Sequence, residues 1–176
     1  MWVVDASVII ALGRQGRLDL LSCLDEVTIP SLARDEVTGE PEASNLADFL
    51  EPAGADLVSP PAAVIERAAV LLGDDLVTGD TAIIASIMAA TDEAATDEDS
   101  VGVISDDKRL RSIAGGLGAA VTGTIGLIVH NVDEGQLTSA AAKRLVRDME
   151  RRGFHLTGEL RDTADRLIDQ AAEEHR

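Results

Sequence analysis

The sequence predicts an α/β fold: a three-layer sandwich with a central parallel sheet and a helical extension at its C-terminal end. Three observations carry that prediction. Short runs rich in Val and Ile alternate with stretches of helical periodicity. Two of the apolar runs, VVD and VISDD, end in acidic residues, which suits strands that deliver functional groups to one edge of a sheet. The chain of 176 residues is long enough to bury a core of its own without disulfides.

The elements follow in order. WVV (2–4) predicts a short buried strand, and a helix is expected from Ser7 to Leu12, with helical character resuming from Leu18 to Leu24 after Gly13 and Gly16. VTI (27–29) predicts a second strand, stopped by Pro30, after which Ser31 is expected to cap a helix running through Val37. Residues 44–50 have helical character, ADLVS (55–59) suits an edge strand, and Pro60 is placed to open a helix that lasts to Leu72. A helix is expected from Asp80 to Ala90, a strand at VGVIS (101–105), a helix from Asp107 to Ala114 and a last strand at AAVTG (119–123). TDEAATDEDS (91–100), small and acidic, predicts a solvated mobile loop. The remainder is helical throughout, which divides the chain into an alternating part, 1–130, and an extension, 131–176, packed on the same domain.

Composition narrows the function classes. The chain has 32 acidic residues against 15 basic ones, a formal charge of −17. At ordinary ionic strength such a surface repels nucleic acid and other copies of itself. In roughly molar salt the Debye length falls to about 3 Å, so the composition predicts a halophilic chain made for a salt-loaded cytoplasm. Aromatics are nearly absent (Trp2, Phe49, Phe154), which excludes a platform of successive stacked bases. The lone Cys23 cannot form an intrachain disulfide, no secretory signal is recognisable, and no apolar run is long enough to span a bilayer. A cytoplasmic protein without a membrane partner is expected.

The acids carry the functional reading. Asp5 ends the first strand, where a carboxylate at the margin of a core needs a partner. Glu36 falls one turn from Leu32 and Ala33, which places it on the apolar face of its helix; Asp80 opens an almost wholly apolar helix; Asp106 and Asp107 follow Ser105 at a strand end. Taken singly, Asp80 and Asp107 also stand where helix caps belong. Carboxylates gathered at one sheet edge repel one another unless a hard divalent cation, magnesium or manganese, neutralises them. Arg109 and Arg111, beside the last acids, are candidate phosphate contacts, as is the cluster Arg144, Arg147, Arg151 and Arg152, although Asp148 and Glu150 interleave the latter as surface ion-pair partners. His130, His155 and His175 show no ligand spacing, and Cys23 lies in a stretch that suits the core.

VVDASVIIAL, IPSLARDEV, GDTAIIAS and VISDDKRLR, in that order, resemble the four motifs of PIN-domain ribonucleases, the fold of VapC-type toxins, and the tail from GTIGLI to GFHLTGEL resembles that of a prokaryotic subfamily. The resemblance implies a sheet ordered 3-2-1-4-5. It also implies an endoribonuclease dependent on magnesium or manganese, with Asp5, Glu36, Asp80 and either Asp107 or Asp106 as acids. Asp74 or Asp75 could compete with Asp80. Ser7 and Ser105 would orient acids or water against the substrate. A homodimer is implied, and so is a small antitoxin partner. The alternatives are a PIN-like module that binds RNA or protein without cutting, and a receiver-like signalling domain; the latter wants a Lys at the end of the last strand, and AAVTG has none.

Overall fold

A computed structural model describes residues 1–52, 55–93 and 101–175. Among them, five strands form one wholly parallel sheet: β1 (Trp2–Val4), β2 (Val27–Pro30), β3 (Asp56–Val58), β4 (Gly102–Ile104) and β5 (Ala120–Thr122), in the order β3-β2-β1-β4-β5. Parallel strands need long crossovers, and helices supply them. These are α1 (Ala6–Gly13), α2 (Ser31–Asp35), α3 (Glu42–Leu50), α4 (Ala62–Leu72), α5 (Gly79–Glu93) and α6 (Lys108–Gly116), followed by the tail helices α7 (Thr124–Asp133), α8 (Ser139–Arg151) and α9 (Gly158–Glu174).

The chain winds outward from β1 to β3, then crosses back to lay β4 on the other side of β1, with Val3 opposite Val103 and Val4 opposite Ile104. The order reverses between β1 and β4. Their connections therefore leave in opposite directions and open a crevice at their carboxyl ends. Helices pack on both faces, because strands this apolar must be covered on each side. α5 lies against β1 and β2 and carries α2 and α4, while α1 contacts α3 and α7, and α7 carries α8 and α9. Val3, Val4, Ile29, Val103 and Ile104 of the sheet are fully buried, as are Ile83, Ile84 and Ile87 of α5. Each such side chain contributes about 2 kcal/mol of apolar transfer energy.

Several local expectations change. Ser31 does not cap: α2 begins at Ser31 after an extended Pro30, and the Ser31 hydroxyl instead donates to the Val58 carbonyl (3.2 Å), tying α2 to the end of β3. α2 is one short turn, with Glu36 as its C-cap rather than an interior residue. Leu18–Cys23 is a 3-10 helix, α3 starts earlier than expected, at Glu42, and Pro61 rather than Pro60 precedes α4. α5 continues through Thr91–Glu93, so the first residues of the acidic stretch are helical, and its remainder, 94–100, lies outside the described residues.

Glu42 is a buried charge that the sequence did not announce. It is 3% exposed, and its Oε1 accepts from Nε of Arg14 at 3.1 Å, while Oε2 is buried without a hydrogen-bond partner among the described residues. Gly13 gives α3 its close approach to α1, since a Cβ there would stand 2.9 Å from that of Glu42.

Candidate functional site

Asp5 follows β1 directly and is 5% exposed. Two hydroxyls hold it: Ser7 Oγ donates to Asp5 Oδ2 at 2.6 Å and Ser105 Oγ to the same oxygen at 2.7 Å. Both serines also accept. The backbone N–H of Asp107 donates to Ser105 Oγ (3.0 Å), and that of Asp106 to Ser7 Oγ (3.3 Å). The end of β1 and the end of β4 are thus stitched together through Asp5. Among the described residues no donor is placed on its other oxygen.

Glu36 and Asp107 follow the same pattern. Glu36 Oε1 accepts from the Gly79 N–H at 2.8 Å, which fastens α2 to the start of α5. Glycine is required there because a Cβ on residue 79 would lie 2.5 Å from Glu36 Oε1 and 3.2 Å from Ala33 Cα. Glu36 is exposed rather than turned to the apolar face, where Ala33 alone is buried, because α2 ends before the helical face can continue. Asp107 caps α6 by accepting from the Leu110 N–H at 2.7 Å. In each of these acids one oxygen is fixed by the protein, and the second receives no protein donor among the described residues.

Asp80 lies in the first turn of α5. Burial raises its pKa above the ordinary aspartate value, and the negative charges of Asp5, Asp107 and Glu36 raise it further; Arg109 partly opposes them. That shift identifies the neighbours. Asp80 lies within reach of the charges of these three acids, and Asp106 is not among them. Asp106 faces elsewhere, accepting from the N–H of Thr124 (2.9 Å) and its hydroxyl (2.6 Å), so that it serves the start of α7.

The arginines divide too. Arg109 donates to the Leu72 carbonyl and to Asp74 Oδ1 (3.0 Å), so Asp74 serves as its counter-ion at the rim. A hollow there is lined by Glu36, Asp74, Asp75 and Asp80. Arg111 donates to the Ser105 carbonyl at 2.6 Å, bracing the turn after β4. In the tail, Arg147 and Arg151 pair with Asp165 and Asp148, and Arg144 and Arg152 have no carboxylate partner among the described residues.

The donor set fits a hard divalent cation. It consists of carboxylates aimed by two protein hydrogen bonds on Asp5, by one each on Glu36 and Asp107 and, among the described residues, by none on Asp80. The ring is open: no three of these acids bring oxygens within 4.8 Å of one another. A cation that keeps several waters and takes only one or two carboxylates directly suits that spread. A tighter group lies elsewhere. His130, Asp133 and Glu134, at the end of α7, bring one ligand atom each within 4.8 Å, which corrects the expectation that the histidines lack ligand spacing; the signal was HNVDE, with acids three and four residues after the histidine.

A family model described as PIN domain matches residues 1–170. The chain belongs to the PIN-domain family. The match runs through the tail helices as well as the sheet, so the PIN-domain description covers almost the whole chain. No curated protein matches it. PIN domains are generally nucleases and typically use divalent metal ions, which agrees with a hard-oxygen donor set at the carboxyl ends of β1 and β4. Among the described residues no helix is long and apolar enough to cross a membrane.

Proposed function

We propose that this PIN-domain chain is a metal-dependent endoribonuclease that hydrolyses RNA phosphodiester bonds, with Asp5, Glu36, Asp80 and Asp107 as its acids. One observation carries the reading: Asp5 and Asp107 meet at the carboxyl ends of β1 and β4 on a single hydroxyl, that of Ser105, and their charges, with that of Glu36, bear on Asp80. Carboxylates brought this close raise one another's pKa, and a bound divalent cation would offset their repulsion. When bound, magnesium or manganese would supply a water of lowered pKa and positive charge for the phosphate oxygens. The protein's own part is orientation. Ser7 and Ser105 fix the rotamer of Asp5, Gly79 that of Glu36, and the α6 cap that of Asp107, leaving the second oxygens turned away from protein donors. Of the two candidates for the fourth acid, Asp107 is favoured, because both oxygens of Asp106 are taken by Thr124.

The test is Asp5→Asn in a cleavage assay on single-stranded RNA with magnesium or manganese, run near molar potassium chloride with a chelator control. Loss of cleavage with the fold retained supports the proposal. Cleavage that persists in the variant, or that ignores chelator, sinks it. A wild-type chain that binds RNA and never cuts it would instead be a binding module on the same fold.

The toxin role and the homodimer belong to the same proposal. α5 is covered by the sheet, but Val70 and Leu71 of α4 and Leu76 and Val77 of the turn beyond it are exposed, at 83%, 48%, 75% and 53%. Leu76 adjoins the acids, lining a hollow with Glu36 and Asp80. A second copy, or a small antitoxin, would bury that apolar surface. Light scattering in molar salt that finds only monomer removes the dimer; a gene with no short reading frame beside it removes the antitoxin.

A further inference from the structure

We infer that the corner between α8 and α9 is the strand-holding wall of this site, with Arg152 and Arg111 taking phosphates and Phe154 seating one base of a single-stranded RNA; this rests on the nuclease reading above. The corner lies between two hollows. The smaller, about 90 Å³, is lined by Ser7, Ile10, Arg14, Arg152 and Phe154. The larger, about 450 Å³, is lined by Asp106, Arg111, Gly126, Phe154, His155 and Leu160. Phe154 is common to both. Ser7 Oγ accepts from the Asp106 N–H at 3.3 Å, so the hollows adjoin at the residues flanking Asp5. The link to the acids is Ser7, which lines the smaller hollow and donates its hydroxyl to Asp5 Oδ2.

Charge argues for the occupant. With 32 acidic residues for 15 basic ones, a cation in this chain should find a carboxylate easily, and Arg14, Arg17, Arg34, Arg67, Arg109 and others do. Among the described residues Arg111 and Arg152 do not, and neither do Lys108, Arg144 and Arg166, but of these five only Arg111 and Arg152 line the two hollows. Each is held by a neutral acceptor instead, the carbonyl of Ser105 for Arg111 and that of Arg14 for Arg152. Their positive charge is positioned one beside each hollow, and Asp106, the carboxylate that shares the larger hollow with Arg111, has both oxygens taken by Thr124. A guanidinium with free donors suits phosphate oxygens. The half-buried ring of Phe154 between them suits a base, one ring seating one base where a platform of several is lacking.

The experiment measures binding apart from cleavage. In an Asp5→Asn background, a short fluorescently labelled single-stranded RNA is titrated by anisotropy over a range of potassium chloride concentrations. Arg152→Ala and Phe154→Leu, which keeps apolar volume, are each expected to weaken binding about tenfold. Arg152→Ala should also flatten the salt dependence by about 0.7 in logarithmic slope. Arg166→Ala, the same charge change on α9 outside both hollows, should alter neither. In the cleaving chain the first two substitutions should raise KM and leave kcat, as a loss of uniform binding does. If they bind RNA as well as Arg166→Ala does, or if the unsubstituted chain binds no RNA, the inference is overturned. If binding weakens as expected while the wild type never cuts, the wall stands and the nuclease reading falls.

Discussion

Ser105 donates its hydroxyl to Oδ2 of Asp5 at 2.7 Å, a hydrogen bond between residues one hundred positions apart that joins β4 to β1 at the crevice. The same oxygen atom of Ser105 accepts from the Asp107 N–H, so one hydroxyl aligns two of the acids. Ser105→Ala should leave the fold intact and lower cleavage by about 10- to 100-fold, as expected for loss of a group that aims a metal ligand. Ser105→Thr, which keeps the hydroxyl, should restore most of it. Equal rates in the Ala and Thr variants would remove the alignment role.

The two adjacent aspartates can be separated without disturbing α6. Asn caps a helix about as well as Asp, so Asp107→Asn should keep the α6 cap and still abolish metal-dependent cleavage. Asp106→Asn should retain cleavage, because Asp106 is engaged with Thr124 rather than with the other acids. The opposite ranking of rates would move the fourth acid to Asp106.

The raised pKa of Asp80 gives a pH dependence in the metal-free protein. A carboxyl that is harder to ionise in the fold binds protons more readily there than in the unfolded chain. Its penalty is therefore absent below the ordinary aspartate range and grows as pH rises towards the elevated folded value. Asp80→Asn should thus raise the melting temperature in chelator at neutral pH, with the gain fading in acid. A variant that melts lower than wild type at pH 7 in chelator contradicts the placing of Asp80 among the charges of Asp5, Asp107 and Glu36.

Arg14 and Glu42 make a structural prediction. Breaking a fully buried pair costs on the order of 3–5 kcal/mol, but Arg14 is 47% exposed and solvent screens part of that. Arg14→Ala should destabilise by about 2 kcal/mol in denaturant unfolding, through the carboxylate it leaves behind. The double substitution with Glu42→Gln should recover part of the loss. Additive losses would show that the pair is not coupled.

Salt should act on the whole chain. With a formal charge of −17, the melting temperature is expected to rise between about 0.1 M and about 2 M potassium chloride as self-repulsion is screened. A flat response would detach the acidic composition from a salt-rich habitat.

The sheet was legible because each strand is a short apolar run closed by Pro, Gly or an acid, and the resemblance supplied its order. Asp5 and Asp107 were legible as strand-end acids for the same reason. Glu36 was expected on the apolar face of a helix and is instead an exposed C-cap. Its direction depends on the bare Cα of Gly79, a contact between α2 and α5 that no local periodicity encodes. Asp106 and Asp107 are chemically equal in sequence, and only the arrival of α7, bringing Thr124, distinguishes them. The buried Glu42 and the corner at Phe154 were not visible either, since both arise where helices distant in sequence meet.

The return of the chain to β1 after β3 also sets when the crevice can exist. Residues 1–93 contain Asp5, Glu36 and Asp80, but Ser105 and Asp107 arrive only with β4, whose pairing with β1 is among the longest-range contacts of the sheet. A chain still emerging from the ribosome therefore carries three of the acids, with Ser7 on Asp5 and Gly79 on Glu36, before the hydroxyl that joins Asp5 to Asp107 has been made. The junction of β1 with β4 that brings Asp5 and Asp107 together is therefore completed only after synthesis has passed β4.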